Sequence, residues 1–452
     1  MHDFSAQLAN MMPTALTGSI VRTEGLTASV AGFPAPVGAL VQIERQTGSP
    51  IDAEVIGFRD KETLIYPLSE MTGVRHGNRV RLVRTSRLLR VGNELLGRVI
   101  DARGQVMDGR PAPLLTDRAA LDRRPPAACD RPRIDAPLST GVRVIDGLLT
   151  CGLGQRIGIF AGSGVGKSVT LGMMARYTSA DVNVIGLIGE RGREVNEFIE
   201  RDLGPEGLAR SVVIVATSDE PALVRVQAAQ AATAVAEYFR DQGKNVLLIM
   251  DSLTRFAMAQ REIGLAAGEP PATRGYPPSV FAMLPRLVER AGRSPDGSIT
   301  AFYSVLVEGD DTNEPVSDTV RGLLDGHVIL SRKLAAQGHY PAVEVLGSIS
   351  RLFSDITAPE VRAAAQVVRE LLATYRDNED LISIGAYRQG ANPMIDAAIA
   401  MREEIQKFLR QAVEDRSSVE RARTELVQLA QRCLAARRPA PQPVAPVNAL
   451  RR

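Results

Sequence analysis

The segment AGSGVGKS at residues 161–168 constrains the fold of this chain more than any other feature. It follows a predicted strand at 156–160 and opens a helical segment, SVTLGMMARY. A glycine-rich turn between a strand and a helix is the context that a phosphate-binding loop requires, because its backbone N–H groups and the helix N-terminus converge on a phosphate. The sequence therefore predicts a phosphate site formed by Ala161, Gly162, Ser163, Gly164, Val165, Gly166, Lys167, Ser168 and Val169.

Two side chains of this loop have specific predicted roles. Lys167 is expected to reach the β- and γ-phosphates of a nucleotide, and Ser168 to ligate magnesium. Only five of the 54 basic residues are lysines, and a compact ammonium fits inside such a loop where a forked guanidinium would not. Ala161 stands where the generic motif has its first glycine. Since Lys167 lies in a loop, we expect no buried group to depend on it.

Two carboxylates follow apolar strands farther along the chain. Asp251 ends the run VLLIMD, the position expected for a group that holds the magnesium shell. Glu190 ends another strand, in LIGERGRE, 23 positions after Lys167. A carboxylate at the C-terminal end of a parallel strand faces the nucleotide crevice, where Glu190 would polarise the attacking water. The residues alone leave open a second interpretation, an exposed glutamate in a charged loop.

The order of the predicted elements indicates the fold class. Short alternating runs from about 18 to 85 predict a small β-barrel, and near-continuous apolar strands alternating with helices from about 150 to 335 predict a parallel sheet covered on both faces. The connection between them lacks strong periodicity, and the pattern becomes helical after Pro359, including about 393 to 435. We predict an α/β protein with an N-terminal segment 1–17, a β-barrel 18–88, a P-loop NTPase core 89–356, a helical domain 357–436 and a disordered tail 437–452.

Composition narrows the compartment and the partners. The net charge of +2 over 452 residues requires no polyanionic partner. Three separated cysteines without metal-ligand spacing fit a reducing cytoplasm. No signal-peptide pattern and no run of 18 apolar residues occurs, so any membrane contact is expected to be peripheral. Phe4, Leu8 and Met11 lie at helical spacing, which predicts either a docking helix over 2–13 or a frayed terminus.

Four longer strings make the chain recognisable. They are TGVRVIDGLLTCGLGQRIGIFAGSGVGKS, GERGREVNEFIE, GEPPATRGYPPSVFAMLPRLVERAG and VLVEGDDTNEPVSDTVRGLLDGHVILSRKLAAQGHYPAVEVLGSISR. They resemble the ATPases of flagellar and type III protein export, which are related to the catalytic subunits of rotary ATP synthases. The resemblance runs from about 18 to 435 and implies a RecA-like core, with alanine usual at the position of Ala161.

The resemblance also implies roles for individual residues. Glu190 is the catalytic carboxylate, where non-catalytic rotary subunits carry glutamine, and Arg191 is a γ-phosphate contact. Arg255 is a supporting site residue, and Tyr340 stacks on the adenine. Arg351, which ends SISR, is the arginine finger that reaches into a neighbouring subunit. Without the resemblance, Arg351 reads as a surface ion-pair residue and Tyr340 as a packing residue.

The resemblance further implies the assembly and its partners. One chain with both the phosphate loop and the finger supplies both halves of a site, which implies a ring of six identical subunits that binds ATP and Mg2+. The implied partners are a coiled-coil regulator at the N-terminal helix, a central stalk protein, the membrane export gate and chaperone-bound substrates. The implied location is cytoplasmic, at the inner face of the cytoplasmic membrane. The flagellar branch is preferred because of ISIGAYRQGANPMIDAAI.

Three other functions are compatible with parts of the sequence. An ATP synthase subunit shares the core, but the acidic DELSEED string of the rotary catalytic subunit is absent here. A Rho-like RNA translocase would use the arginines from Arg75 to Arg90, yet no aromatic stacking residue occurs between Pro67 and Asp130. We therefore interpret these arginines as a barrel face or a subunit interface and expect no nucleic acid. A regulatory ring that binds nucleotide without turnover is the third alternative.

Overall fold

A computed structural model describes residues 16–307 and 314–437 of this protein. Its N-terminal part is a closed six-stranded barrel in the order β1-β2-β5-β4-β3-β6, and β6 pairs with β1 to close it. Alternate apolar side chains, such as Val30, Val41 and Ile65, fill the barrel core. The predicted barrel is confirmed, with strands Thr17–Glu24 (β1), Thr27–Ala31 (β2), Leu40–Ile43 (β3), Ile51–Arg59 (β4), Glu62–Pro67 (β5) and Arg79–Arg84 (β6).

Among the described residues the central sheet has nine strands. Seven of them run parallel, in the spatial order β8, β14, β13, β15, β17, β12 and β18. The antiparallel β19 borders β18, and β16 pairs with β17. The predicted parallel sheet is thus confirmed. Its strands are Arg98–Asp101 (β8), Arg156–Ala161 (β12), Val182–Glu190 (β13), Ser211–Thr217 (β14), Asn245–Asp251 (β15), Gly292–Arg293 (β16), Ser298–Leu306 (β17), Gly326–Leu330 (β18) and Ile349–Ser350 (β19).

The region between the barrel and the core has more structure than its weak periodicity indicated. Leu88–Val91 (β7) pairs with Asp117–Ala120 (β9), and Pro137–Leu138 (β10) pairs with Cys151–Gly152 (β11). In addition, β8 joins the central sheet beside β14. A four-residue edge strand has too few residues for a recognisable period, and its pairing comes from a strand more than 100 residues later in the chain.

Helices cover the sheet and form the C-terminal part. They are Arg143–Leu148 (α1), Lys167–Tyr177 (α2), Gly192–Glu197 (α3), Gly204–Ala209 (α4), Ala222–Arg240 (α5), Leu253–Ala266 (α6), Pro278–Val288 (α7), Pro315–Leu323 (α8), Arg332–Ala336 (α9), Pro359–Asp377 (α10), Glu379–Ser383 (α11), Pro393–Leu409 (α12) and Val419–Ala436 (α13). A π-helical turn, Phe198–Leu203, connects α3 to α4. Within the described ranges no helix is long and apolar enough to cross a membrane.

Three of the C-terminal helices, α10, α12 and α13, pack against α1 of the core. The side chain of Arg143 donates hydrogen bonds to Phe408 O and Arg410 O, which closes the C-terminal end of α12. The predicted helical stretch 393–435 is divided at 410–418, and Ser418 accepts a hydrogen bond from Arg421 N where α13 begins. The predicted docking helix at 2–13 and nearly all of the tail lie outside the described residues. The domain limits at 88/89 and 356/357 stay predictions.

Candidate active site

The phosphate loop connects β12 to α2, as the sequence indicates. Gly164 and Gly166 have φ angles of 77° and 85°, values that residues with a side chain rarely adopt. Val165 is buried in the apolar core and anchors the middle of the loop, whereas Ser163 and Ser168 are exposed. This arrangement leaves the mouth of the loop and the hydroxyl of Ser168 open at the N-terminus of α2.

Lys167 lies between the two carboxylates singled out from the sequence. Its Nζ forms a short ion pair with Asp251 and lies 3.6 Å from Oε1 of Glu190. Burial alone would lower the pKa of Lys167, but the negative charges of Asp251 and Glu190 raise it above its usual value. The expectation that no buried group depends on Lys167 is wrong, because Asp251 has a side chain only 4% exposed.

Neighbouring strands bring these groups together. Asp251 ends β15 and Glu190 ends β13, the adjacent strand, while β17 lies between β15 and β12. Ser304, on β17, donates a hydrogen bond of 2.5 Å to Oδ1 of Asp251. Sequence reasoning missed Ser304, because nothing distinguishes a serine within an apolar strand until the strand order places it beside the site.

Glu190 is a strongly perturbed acid in this cluster. Burial and the charge of Asp251 raise its pKa to about 7, together with a hydrogen bond that the protonated carboxyl group donates to Glu194, while Lys167 and Arg255 act in the opposite direction. A carboxyl group with a pKa near neutrality is suited to accept a proton at physiological pH. Glu194 was also missed, although its place one helical turn after Glu190 was a signal.

Arg255 is held close to Glu190 by the glycine that precedes the acid. Gly189 has a φ of 71°, and a Cβ placed there would lie 3.1 Å from Cβ of Arg255. The hydroxyl of Ser252 accepts a hydrogen bond of 3.3 Å from Arg255 N at the start of α6. The structure therefore brings Arg255 to the site.

Tyr340 packs against the other end of the phosphate loop. A Cβ placed on Gly166 would lie 3.3 Å from Cδ1 and Cε1 of Tyr340, and the residue remains 46% exposed. An open cleft of about 650 Å3 adjoins Tyr340 and is bordered by Arg143, Lys407, Arg410 and Gln411. This cleft offers room for a flat group beside the phenol ring.

Arg332 approaches the first glycine of the loop and was not singled out from the sequence. A Cβ placed on Gly162 would lie 2.6 Å from Nε of Arg332. Arg332 follows the end of β18, which pairs with β12, so its nearness to the loop depends on that strand pairing. An Arg after an apolar strand was the available signal.

The two remaining predicted arginines lie in different places. Arg191 follows Glu190 directly and is exposed, with an ion pair of 3.6 Å to Glu194. Arg351 lies away from the loop of its own chain, because its N–H donates to Asp325 O and the Asp325 N–H donates to Arg156 O. Arg156 begins β12, and the loop follows the other end of that strand, about 16 Å farther on.

The arginine-rich stretch of the barrel makes hydrogen bonds within the chain. Arg75 and Arg81 donate to Gln46 and Gln42, and Arg87 donates to Gln230 on α5 of the core. Arg87 is also ion-paired with Glu54 at 3.4 Å. These contacts fit the interpretation of the stretch as a barrel face, which stays a prediction.

Comparison with protein families and curated proteins gives the same assignment in two parts of the chain. Residues 141–350 match the ATP synthase alpha/beta family, nucleotide-binding domain, and residues 357–428 match the T3SS EscN ATPase C-terminal domain. The chain is 52% identical over 414 residues to the flagellum-specific ATP synthase of Bacillus subtilis, which covers 91% of this chain and 94% of that protein. The chain belongs to the flagellar and type III secretion ATPase family.

The chain is also similar to two ATPases of type III secretion systems. It is 49% identical over 415 residues to the type 3 secretion system ATPase of Xanthomonas euvesicatoria, covering 92% of this chain and 94% of that protein. A solved structure of the assembled ATPase EscN in complex with its central stalk EscO, from the enteropathogenic E. coli type III secretion system, matches with a TM-score of 0.85. It is 47% identical and covers 91% of this chain and 100% of that chain.

The family assignment confirms the predicted fold and activity class. This ATPase has the expected barrel, P-loop core and C-terminal helices, and it is an ATP-hydrolysing export enzyme. The assignment favours this function over an ATP synthase subunit, an RNA translocase or a regulatory ring without turnover. The roles of individual site residues stay predictions.

Proposed function

We propose that this chain is a homohexameric, magnesium-dependent ATPase that energises the export of flagellar proteins and their release from chaperones. The observation that carries the proposal is the position of Lys167 between Asp251 and Glu190 at the start of α2. A phosphate loop with two carboxylates at the ends of nearby parallel strands is an arrangement for phosphoryl transfer.

The oxygen donors near the loop fit magnesium. Ser168 presents an exposed hydroxyl, and Asp251 lies at the end of β15 beside the loop lysine. Across the described ranges no group of three or more His, Cys, Asp or Glu side chains could hold a metal alone. That absence suits Mg2+, which usually takes much of its coordination from phosphate and water. When bound, Mg2+ would neutralise charge on the β- and γ-phosphates.

The residues of the chain divide the remaining chemistry. Lys167 binds phosphate oxygens, which compete with Asp251 and Glu190 for its ammonium group. Glu190 orients the attacking water and accepts its proton. Arg191 contacts the γ-phosphate, and Arg255 tunes the charge around Glu190. Tyr340 stacks on the adenine, and the adjoining cleft gives the base its space.

Arg351 acts in the site of the neighbouring subunit. Its place at the opposite end of β12 puts it beyond the reach of its own phosphate loop, since an arginine side chain spans much less than the length of that strand. An identical neighbour in a head-to-tail ring meets this surface with its own loop. The Arg351 guanidinium then stabilises charge that develops on the transferred phosphoryl group.

Partners and location follow from the relatives. A central stalk protein is proposed because the related ATPase EscN is described with its central stalk EscO. The other proposed partners are a coiled-coil regulator at the N-terminal helix, the membrane export gate and chaperone-substrate complexes. The proposed location is the cytoplasm, with peripheral contact at the inner face of the membrane.

A complementation experiment tests the proposed function. A strain of the source organism that lacks the gene should lose motility and secretion of hook and filament proteins, and the wild-type chain should restore both. Lys167→Ala, produced at the same level, should restore neither. Normal export in the deletion strain would contradict the proposal.

A virulence-type role is the second candidate, because the type 3 secretion ATPase of Xanthomonas is nearly as similar as the Bacillus flagellar protein, at 49% against 52% identity. In that case the deletion strain would stay motile and lose secretion of effector proteins. The deletion strain and the strain complemented with the wild-type chain therefore distinguish the two export functions.

A further inference from the structure

One short segment, residues 332–340, contacts both ends of the phosphate loop. Arg332, at its start, approaches Gly162, and Tyr340, at its end, packs its ring against Gly166. Among these described residues, α9 is the regular structure, and Tyr340 follows it. The chain rejoins the sheet three residues later, where Val343 forms a bridge with Leu330 of β18.

The C-terminal helices hold the end of this segment. Gln411, just after α12, donates its backbone N–H to Tyr340 O at 3.0 Å. The neighbouring His339 is buried, and its Nδ1 lies 2.7 Å from Oε1 of Gln406 on α12. Two consecutive residues of the nucleotide-binding core therefore form hydrogen bonds with the helical domain, while His339 N also donates to Leu334 O within the segment.

The side chain of Gln411 fixes the backbone group that holds Tyr340. Its Oε1 accepts a hydrogen bond from Arg143 N at 2.7 Å, and its Nε2 donates to Gly141 O at 2.9 Å and to Asp415 O at 2.6 Å. Gln411 is only 6% exposed, and both hydrogens of its amide are engaged. The amide of Gln411 therefore connects the start of α1 to the turn after α12. Neither of its N–H groups is available to bind the adenine base of a nucleotide.

We propose that Gln411 is a positioning residue for nucleotide binding, which holds Tyr340 against the phosphate loop and makes docking of the helical domain a part of the nucleotide site. The inference rests on the proposed function, because it assumes that Tyr340 stacks on the base. Coupling between two sites is reciprocal, so ATP binding stabilises the docked position of the turn at 410–418. A protein that binds the helical domain thereby changes ATP affinity through this contact.

A double-mutant cycle in the full chain tests the inference. Binding of ATP in the presence of MgCl2 is measured by calorimetry for Gln411→Ala, Tyr340→Ala and the double variant. Tyr340→Ala should raise Kd about fivefold, the equivalent of about 1 kcal/mol. Gln411→Ala should raise Kd and KM about two- to fivefold, no more than Tyr340→Ala does, and keep kcat within about twofold. In the double variant the Kd should match that of Tyr340→Ala.

A matched glutamine provides the control. Gln366 lies on α10 of the same helical domain, is exposed, and its side chain donates a hydrogen bond of 3.0 Å to Oε1 of its helix neighbour Glu370. Gln366→Ala should bind ATP with the wild-type Kd. Thermal unfolding of each variant without nucleotide is recorded alongside, so that a loss of folded protein is not counted as a loss of affinity.

Each outcome decides one question. Additive effects in the cycle, or a wild-type Kd for Gln411→Ala, overturn the positioning role, and additivity would indicate that Gln411 acts on the nucleotide independently of Tyr340. A wild-type Kd for Tyr340→Ala instead rejects the proposed stacking.

A second measurement covers the case in which Gln411→Ala does not fold. In the wild-type chain, ATP should slow hydrogen exchange of the peptide that contains residues 410–418, and Tyr340→Ala should lose most of this protection at saturating ATP. Unchanged exchange in the wild type overturns the inference.

Discussion

Nζ of Lys167 lies 3.6 Å from Oε1 of Glu190, so the group expected to bind phosphate and the group expected to accept a proton share one partly buried cluster. Asp251 completes this cluster through its own ion pair with Lys167. If Lys167 binds a nucleotide as proposed, phosphate oxygens have to compete with these two carboxylates for its ammonium group.

Lys167→Ala should abolish ATP binding and hydrolysis and should also lower stability. The substitution leaves Asp251 and Glu190 as neighbouring buried acids without their cation, which costs about 3 kcal/mol when both are charged. Chemical unfolding should show this loss to be greater at pH 8 than at pH 6, because protonation of a carboxyl group relieves the repulsion. Wild-type turnover by this variant would refute the phosphate-loop assignment.

Glu190→Gln should bind ATP and hydrolyse it about 10² to 10⁴ times more slowly, because an amide cannot accept the proton of the attacking water. Equilibrium binding and single-turnover hydrolysis measure the two effects separately. If affinity falls as much as turnover does, Glu190 has a structural role and the assignment of the base fails.

The pH dependence of kcat/KM reports the pKa of Glu190 in the free enzyme. Its pKa is raised to about 7, so the carboxylate that acts as a base predominates above that pH and is lost below it. We expect kcat/KM to fall about tenfold per pH unit below pH 7 and to level off above it. The residual activity of Glu190→Gln provides the control. A fall in kcat/KM at low pH that is caused by titration of ATP itself would persist in that variant. The same fall in kcat/KM below pH 7 in the wild type and in Glu190→Gln would contradict the assignment of Glu190 as the base.

Arg351→Ala should bind ATP and assemble but barely turn over, because we propose that Arg351 completes the site of the next subunit and not its own. Mixing this variant with Lys167→Ala should restore activity, since random equal mixing gives about one quarter of interfaces with an intact loop and an intact finger. The measurement is steady-state ATP hydrolysis after subunit exchange.

A covalently linked pair of Arg351→Ala and Lys167→Ala subunits controls for incomplete exchange. If the linked pair assembles, binds ATP and stays inactive, one Lys167→Ala subunit tethered into an otherwise wild-type ring decides the cause. Substantial activity of that ring excludes strict coupling between sites, and the finger assignment then fails.

Local pattern was sufficient for much of this protein. Strand, glycine-rich turn and helix are successive in the chain around residues 156–177, so the phosphate loop and the direction of Lys167 follow from sequence neighbours alone. Apolar runs that end in Glu190 and Asp251 placed both carboxylates at the ends of parallel strands. The barrel was also predictable, since turn residues separate its short apolar runs and two of its five connections, from β1 to β2 and from β4 to β5, are two-residue turns.

Tertiary structure decided which of these groups meet. The order β12-β17-β15-β13 brings Ser304 to Asp251 and sets Lys167 beside Glu190, and no local pattern states a strand order. It also paired Lys167 with the buried carboxylate of Asp251, whereas sequence reasoning had expected no buried group to depend on this lysine. The contact of Gln411 with Tyr340 joins positions 71 residues apart, and Arg351 is separated from its own loop by the length of β12. Periodicity encodes what each segment forms, whereas contacts between distant segments depend on how whole elements pack, and those contacts set the charges and positions of the site.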